Sequence, residues 1–215
     1  MAGRERNPDR SRERLLAAAV EEFSAKGFAG ARVDAIAQRA GLNKQLISHY
    51  FGGKDGLYRA VTAERRARLA GELAELDGGV GEALARLFEW ARGDPLWLRT
   101  QLWEALEGDE RPIGADDERR SVYEDRVRWL RAEQAGGTLP AGLDPELLYL
   151  SLMGATMYPL LLPHVCAMVT GEDPTTVPFA ERYERHLMAL TAALGAGPRP
   201  ARPAKTAPRA GAGPR

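Results

Sequence analysis

The chain has 215 residues, of which 44% are hydrophobic and 28% are charged, a composition typical of a protein that folds around its own core. Its single cysteine, Cys166, excludes a disulfide framework within one chain, as expected in a reducing cytoplasm. The formal charge is zero, but residues 1–61 hold 11 basic and 7 acidic side chains whereas residues 62–195 hold 14 and 23. This asymmetry favours a polyanionic partner for the first segment and an uncharged or cationic one for the second.

Residues 1–8 carry charges where a secretory signal has an apolar run, so we expect a flexible N-terminus and no export signal. Beyond them, apolar residues recur at spacings of three and four without the alternation of a strand, which predicts an all-α fold. A first helix is expected at about residues 10–26 and a second at residues 33–40, each followed by a glycine that ends it. A further helix is expected to start at Lys54 and run towards Leu69.

A short helix is predicted within the segment GLNKQLISHYF, residues 41–51. Isolated helices shorter than about 12 residues are marginal in water, so its neighbours must hold it in place. Gly41 can adopt the left-handed conformation of a sharp turn, and the helix is expected to start at Asn43. The inward-facing residues are then Leu46, Ile47 and Tyr50. The outward-facing residues are then Lys44, Gln45, Ser48 and His49.

Two short helices joined by a glycine turn form a helix-turn-helix, whose second helix is presented to the major groove of DNA. Gln45 suits adenine, Ser48 and His49 suit base edges with less selectivity, and Lys44 and Lys54 suit phosphates. The predicted DNA-binding residues are Arg32, Asn43, Lys44, Gln45, Ser48, His49 and Lys54. The alternative is that these are ordinary solvated positions on a small helix.

Longer helices are predicted near residues 81–92, 95–107, 117–135, 145–169 and 178–194. Asp94 and Asp144 each precede a proline and are expected to cap the N-terminus of a helix.

Two further segments have an unusual composition. Residues 147–169 contain no Asp, Glu, Lys or Arg, but their internal prolines and acidic flanks argue against a membrane span, and a helix in a core or a subunit interface is expected instead. Residues 196–215 lack large apolar side chains and are expected to form a disordered basic tail.

The segments KGF, IAQRAGLNK and HYFGGKDGLY follow one another within residues 14–61. On these segments the chain resembles the N-terminal domain of TetR-family transcriptional regulators. The resemblance implies a homodimeric cytoplasmic regulator, usually a repressor, whose helix-turn-helix domain, residues 9–61, binds a palindromic double-stranded DNA operator. It also implies a domain, residues 62–195, that forms the dimer and binds a small apolar or amphipathic effector. Effector binding then favours a dimer whose reading helices no longer match successive major grooves.

The chain departs from the family pattern at two points. Family members usually have a threonine or serine before the second helix, which caps that helix and touches phosphate, whereas this chain has Ala31 and Arg32. The guanidinium of Arg32 can replace the phosphate contact, although a solvated charge is an equally good interpretation. Ser48 stands where many relatives have an aromatic residue, so contacts made at that position do not transfer.

The resemblance also implies that the helices starting at Pro145 and Pro178 form the dimer interface. The predicted dimer-interface residues are Leu148, Leu152, Phe179, Tyr183, Leu187 and Leu190, an apolar set that is equally consistent with the core of one chain. The predicted ligand-binding residues are Trp97, Trp103, Glu104, Trp129, Met153 and Met157. Large aromatic side chains with methionine can line an adaptable apolar pocket, although each one alone is better explained by core packing. Glu104 is the expected polar anchor, which favours cationic apolar compounds.

Two other classes of protein compete with this interpretation. An enzyme would have to use Cys166 with His164, but the isolated HxC pattern lacks further zinc ligands and an evident activating base. We therefore expect no catalytic residues, no bound metal and no cofactor. A ligand-responsive adaptor without DNA binding is the second alternative, and loss of the polar face around Gln45 would have favoured it.

Overall fold

The computed structural model describes residues 8–74, 78–107 and 116–195, and this part of the chain forms helices only. The predicted all-α class is therefore confirmed. The predicted tail, residues 196–215, and all but the last residue of the predicted flexible N-terminus lie outside the described residues.

The helices follow one another along the chain without strands between them in the described segments. They are α1 (Pro8–Gly30), α2 (Val33–Ala40), α3 (Gln45–Phe51), α4 (Lys54–Ala74), α5 (Val80–Gly93), α6 (Pro95–Glu107), α7 (Asp116–Gly136), α8 (Pro145–Leu161), α9 (Pro163–Thr170) and α10 (Val177–Gly195).

The first four helices share one hydrophobic core. Leu15, Phe23, Ile36, Ile47 and Leu57 are each at most 1% exposed within it. The ring of Tyr58 packs edge-on against Phe23 and Phe28, with centroids 5.0 and 5.2 Å apart. Because α4 continues without interruption from this core to Ala74, it joins the N-terminal unit to the rest of the molecule.

A second core lies among the later helices, where α10 packs along α5 and α8 packs against both α5 and α7. Phe88 of α5 and Phe179 of α10 are buried at its centre, and Tyr183 stacks on Phe179 with ring centroids 5.5 Å apart. The predicted helix caps form at two corners, because the backbone N–H groups of Trp97 and Leu147 donate to the carboxylates of Asp94 and Asp144.

The predicted single helix over residues 145–169 is wrong. Leu162 leaves the helical conformation with φ −125° and ψ 62°, and Pro163 then begins α9. A proline disfavours helical geometry in the residue before it, which explains the break. Among the described helices none meets the length and hydropathy requirements of a membrane span alone, and only α8 and α9 together meet them, with a bend of 89° between them.

Candidate nucleic-acid interface and ligand cleft

The turn between α2 and α3 is built around Gly41, which has φ 62° and ψ 36°. The N–H of Gly41 donates to the carbonyl of Gln38 and the N–H of Leu42 to that of Ala37, both at 3.0 Å, the pattern that closes a helix on a left-handed residue. Arg14 of α1 also donates to the carbonyl of Ala40. These contacts fix the angle at which α3 leaves α2.

The α3 helix presents the polar face expected from the sequence. Ile47 is 1% exposed in the first core, and Leu46 and Tyr50 are half-buried beside it. The side chains on the opposite side are all exposed, namely Lys44, Gln45, Ser48 and His49. The apolar anchors therefore hold this seven-residue helix so that Gln45, Ser48 and His49 point away from the protein.

Three of the predicted DNA-binding residues already have partners within the chain, namely Asn43, Lys44 and Lys54. Asn43 lies before α3 rather than in it, and its side-chain oxygen accepts from the N–H of Gln45 at 2.9 Å. Lys44 Nζ lies 2.9 Å from a carboxylate oxygen of Asp34, with both side chains more than 60% exposed. Lys54 Nζ donates to the carbonyl of Ala29 at 3.2 Å and lies over the Phe28 ring.

The missing cap of α2 is replaced by a residue that the sequence did not single out. Arg32 is the N-cap residue of α2 but makes no side-chain cap, and its own side chain is exposed. The carboxylate of Glu22, 1% exposed, accepts from the backbone N–H of Arg32 at 3.4 Å and from Lys26 Nζ at 2.7 Å. The hydrogen bond from Lys26 and the one from the Arg32 backbone lower the pKa of Glu22, against the opposing effect of burial.

A contact between α1 and α6 ties the N-terminal unit to the later helices. Gly27 has φ 69°, and beyond it the N–H groups of Phe28 and Ala29 donate to the Glu107 carboxylate at 3.1 and 3.0 Å. The carbonyl of Ser24 accepts from the indole of Trp103 at 3.2 Å. With ψ −178° this φ is a conformation that residues with a β-carbon rarely adopt, and a β-carbon on Gly27 would also lie 2.1 Å from Glu107 Oε1, so the position favours glycine.

Trp103 and Glu104, both predicted for the ligand site, have hydrogen-bond partners in the N-terminal unit. Neither residue lines the clefts among the later helices. Trp103 binds α1, and the buried carboxylate of Glu104 accepts from the hydroxyl of Tyr58 on α4 at 3.0 Å. Gln101, which lines the larger of these clefts, donates to the same carboxylate at 3.3 Å, so Glu104 lies behind the cleft wall rather than in it.

The other predicted ligand-binding residues do line concave surfaces. A cleft of about 570 Å³ lies between α4, α5, α6, α7 and α8, and Trp97, Met153 and Met157 form part of its wall. A neighbouring cleft of about 500 Å³ is lined by Trp129. Met153 lies in the walls of both clefts. Volumes of this order suit a small organic ligand.

The residues predicted for a dimer interface lie mainly inside the chain. Leu148, Leu152, Phe179 and Leu187 are each at most 6% exposed in the second core, where α5, α8 and α10 meet. Tyr183 and Leu190 are half-buried on the same side of α10. Leu148, Leu152, Phe179 and Leu187 therefore belong to the core of a single chain. A partner chain would have to contact other surfaces of α8 and α10.

The structure does not bring His164 and Cys166 together as a reactive pair. The two residues are two positions apart on α9, where His164 is exposed and Cys166 is buried with its sulfur 3.9 Å from the Thr170 hydroxyl. Residues two apart on a helix point in different directions. Among the described residues, no group of three His, Cys, Asp or Glu side chains is placed to hold a metal ion.

Comparison with known proteins covers both units. Residues 15–61 match the family model described as bacterial regulatory proteins, tetR family, and residues 80–193 match the tetracyclin repressor-like C-terminal domain. The chain is 30% identical over 167 residues to the HTH-type transcriptional repressor SCO4008 of Streptomyces coelicolor, covering 77% of this chain and 86% of that protein. It is 29% identical over 147 residues to the repressor AcnR of Corynebacterium efficiens, covering 67% of this chain and 77% of that protein.

A solved structure shows the same arrangement of helices. The transcriptional regulator SCO4942 of Streptomyces coelicolor superimposes with a TM-score of 0.69 at 27% identity, covering 84% of this chain and 96% of that one.

Proposed function

Because the chain belongs to the tetR family of bacterial regulatory proteins and is a helix-turn-helix transcriptional regulator, we propose that it is a dimeric repressor that a small ligand releases from a palindromic operator. The observation that carries the DNA-binding part of the proposal is the exposed polar face of α3, held outward by the buried Ile47. Gln45 and His49 are the proposed base-reading residues, since an amide side chain can pair bidentately with adenine and an imidazole can donate to a purine nitrogen.

The experiment that tests base reading is a selection of bound duplexes from a random pool. The parent protein is expected to enrich an inverted repeat, and a Gln45→Ala, His49→Ala double variant is expected to lose the enrichment while keeping its fold. A His164→Ala variant is the matched control, because this exposed histidine lies on α9. A folded parent that enriches no sequence after removal of any bound ligand would instead favour an adaptor without operator binding.

The surface that we propose for the dimer is the exposed side of α8. Leu147, Ser151, Gly154 and Tyr158 are exposed at successive turns of this helix, and none of them carries a charge. An uncharged stripe with large side chains at both ends and small ones between them, left in water by a single chain, is suited to packing against another helix. This stripe replaces the predicted Leu148 and Leu152, which the second core already buries.

The element that we propose to carry the ligand signal is α6. Its N-terminal half contributes Trp97, Leu98 and Gln101 to the larger cleft, and its C-terminal residue Glu107 binds the end of α1. A ligand that displaces α6 in the cleft therefore acts on the contact that orients the helix-turn-helix. Such a ligand changes the proportion of DNA-binding and non-binding conformations only if its affinity differs between the two conformations.

A further inference from the structure

We infer that the ligand of the larger cleft is an amphipathic anion, a carboxylate attached to an apolar chain or ring system. The inference rests on the proposed function in one respect, that this cleft is the ligand site. It replaces the expectation of a cationic ligand, which depended on Glu104.

The walls of the cleft are mainly apolar and aromatic. Trp90 and Trp97 lie edge to face with ring centroids 6.3 Å apart, and Met153 and Met157 approach from α8. The neighbouring cleft shares Leu87, Val122, Tyr149 and Met153 with this one, so the apolar surface continues from one to the other. An extended apolar group gains most from such a surface, because each buried CH₂ contributes about 0.8 kcal/mol.

Two arginines supply positive charge to this apolar wall. Arg66 of α4 and Arg126 of α7 both line the larger cleft, and both are half-buried. In the segments that the structure describes, neither is paired with a carboxylate, and Arg126 donates instead to the Tyr149 hydroxyl oxygen at 3.3 Å. A partly desolvated guanidinium without a counter-ion favours an anionic ligand, to which its fork can donate two hydrogen bonds.

The acidic side chains at the two clefts do not offset this charge. Glu146 is 53% exposed and pairs with Arg131, and Asp125 is 66% exposed and pairs with Arg128. Both carboxylates are therefore neutralised by arginines that line neither cleft. The uncompensated charge within the larger cleft is positive.

Tyr149 adds a neutral donor beside Arg126. Since Arg126 donates to the phenolic oxygen, the phenolic hydrogen remains available to a carboxylate. Burial raises the pKa of Tyr149 and so keeps this hydroxyl protonated at neutral pH. Arg126 and Tyr149 line both clefts, which places the charged end of the ligand near the point where the clefts meet.

The test compares three probes that share a chain length and differ in their head groups: dodecanoate, dodecan-1-ol and dodecyltrimethylammonium. Binding is followed by tryptophan fluorescence, because Trp90 and Trp97 line the cleft, at concentrations below micelle formation. Dodecanoate is expected to bind roughly tenfold more tightly than the alcohol, the effect of one charge-assisted interaction, and the cation is expected to bind least.

Arg66→Gln and Arg126→Gln are each expected to weaken dodecanoate binding by about threefold, and the double variant by roughly tenfold. Dodecan-1-ol binding should stay unchanged in all three variants, which also shows that the apolar cleft is folded. Arg126→Lys should restore part of the affinity. Arg120→Gln, an exposed arginine on the same helix that lines neither cleft, is the matched control and should behave as the parent. Equal binding of the three probes, preference for the cation, or unchanged dodecanoate affinity in both glutamine variants would overturn the inference.

These titrations contain no DNA, so the two proposals fail separately. A chain that selects dodecanoate but is not released from its operator by it contradicts the proposed signalling role alone. Release by a cationic compound that binds the same cleft contradicts only the chemical class of ligand.

Discussion

Glu22 lies between α1 and the start of α2 and is 1% exposed. Its carboxylate accepts from the backbone N–H of Arg32, the N-cap residue of α2, as the glutamate of a capping box does for its own helix. Lys26 and Arg39 provide the neighbouring positive charges, at 2.7 and 3.8 Å. One buried side chain therefore provides the acceptor at a helix start where the local residues, Ala31 and Arg32, provide none.

Replacing Glu22 by glutamine is expected to destabilise the protein by about 1–3 kcal/mol at neutral pH, because a buried hydrogen-bonded charge is lost. Folding lowers the pKa of Glu22, chiefly through the hydrogen bond from Lys26. Its contribution is therefore present above the unfolded-state pKa of about 4.3 and is lost as the pH falls through the lower folded-state value. Urea unfolding of parent and variant should show a difference that narrows with acidification. Glu21→Gln, at the exposed neighbouring position, should leave the free energy of unfolding almost unchanged.

Asp34→Asn is expected to strengthen operator binding. Asp34 pairs with Lys44 at 2.9 Å on the surface, so its removal frees the lysine and removes a negative charge beside the reading helix. An exposed pair of this kind is worth up to about 1 kcal/mol, which corresponds to a gain of about two- to fivefold in affinity at low salt. Fluorescence anisotropy across a salt series measures the gain, which should shrink as ionic strength rises. A weaker complex would show that Asp34 itself assists binding.

The contact between α1 and α6 forms at Gly27, and the sequence alone predicts only that a helix ends there. Gly27 was expected to stop the first helix, and it does interrupt it, but its neighbours in space, Glu107 and Trp103, lie 80 and 76 residues further along the chain. Pairings over such separations leave no periodic signal. Trp103 and Glu104 were predicted for a ligand pocket, and no local pattern indicated their hydrogen bonds to Ser24 and Tyr58.

Gly27→Ala is expected to loosen this contact. Alanine at φ 69° and ψ −178°, a backbone region used almost only by glycine, costs about 1–3 kcal/mol, and its β-carbon would meet the Glu107 carboxylate. Thermal unfolding should show the loss of stability, and the variant should bind operator DNA with a reduced response to the ligand, because α6 no longer holds α1 firmly. Gly30→Ala is the control, since that position has an ordinary φ and only the Lys26 side chain nearby at 3.3 Å. An unchanged ligand response in a destabilised Gly27→Ala would exclude α6 as the route proposed here.

Element by element, prediction succeeded where a local signal exists. Gly41, Asp94 and Asp144 mark helix ends by their own chemistry, and the three-and-four spacing around Ile47 identified the outward face of α3. The α8 helix gave no such signal, because it is apolar around its whole circumference and periodicity does not reveal which side meets the core. Leu148 and Leu152 were therefore predicted for a partner although the chain itself buries them.

At the scale of the whole molecule, operator binding by two reading helices requires two chains, and the exposed stripe of α8 is the surface proposed to join them. Gly154 lies in the middle of that stripe, and a β-carbon there would meet nothing within 4 Å. A larger side chain at Gly154 therefore leaves the single chain undisturbed, whereas a charged one in the proposed interface would be buried without a partner.

Gly154→Glu is accordingly expected to convert the dimer into a folded monomer. Light scattering after size-exclusion chromatography measures the mass, and the concentration dependence of the melting temperature seen for the parent should disappear in the variant. Operator affinity should fall by at least about tenfold, because one reading helix then binds one half-site alone. Gly71→Glu is the matched control, since Gly71 is also an exposed glycine within a helix with no atom near its β-carbon position. A Gly154→Glu protein that remains dimeric would place the interface on another surface, whereas loss of the dimer in both variants would point to a general effect of added negative charge.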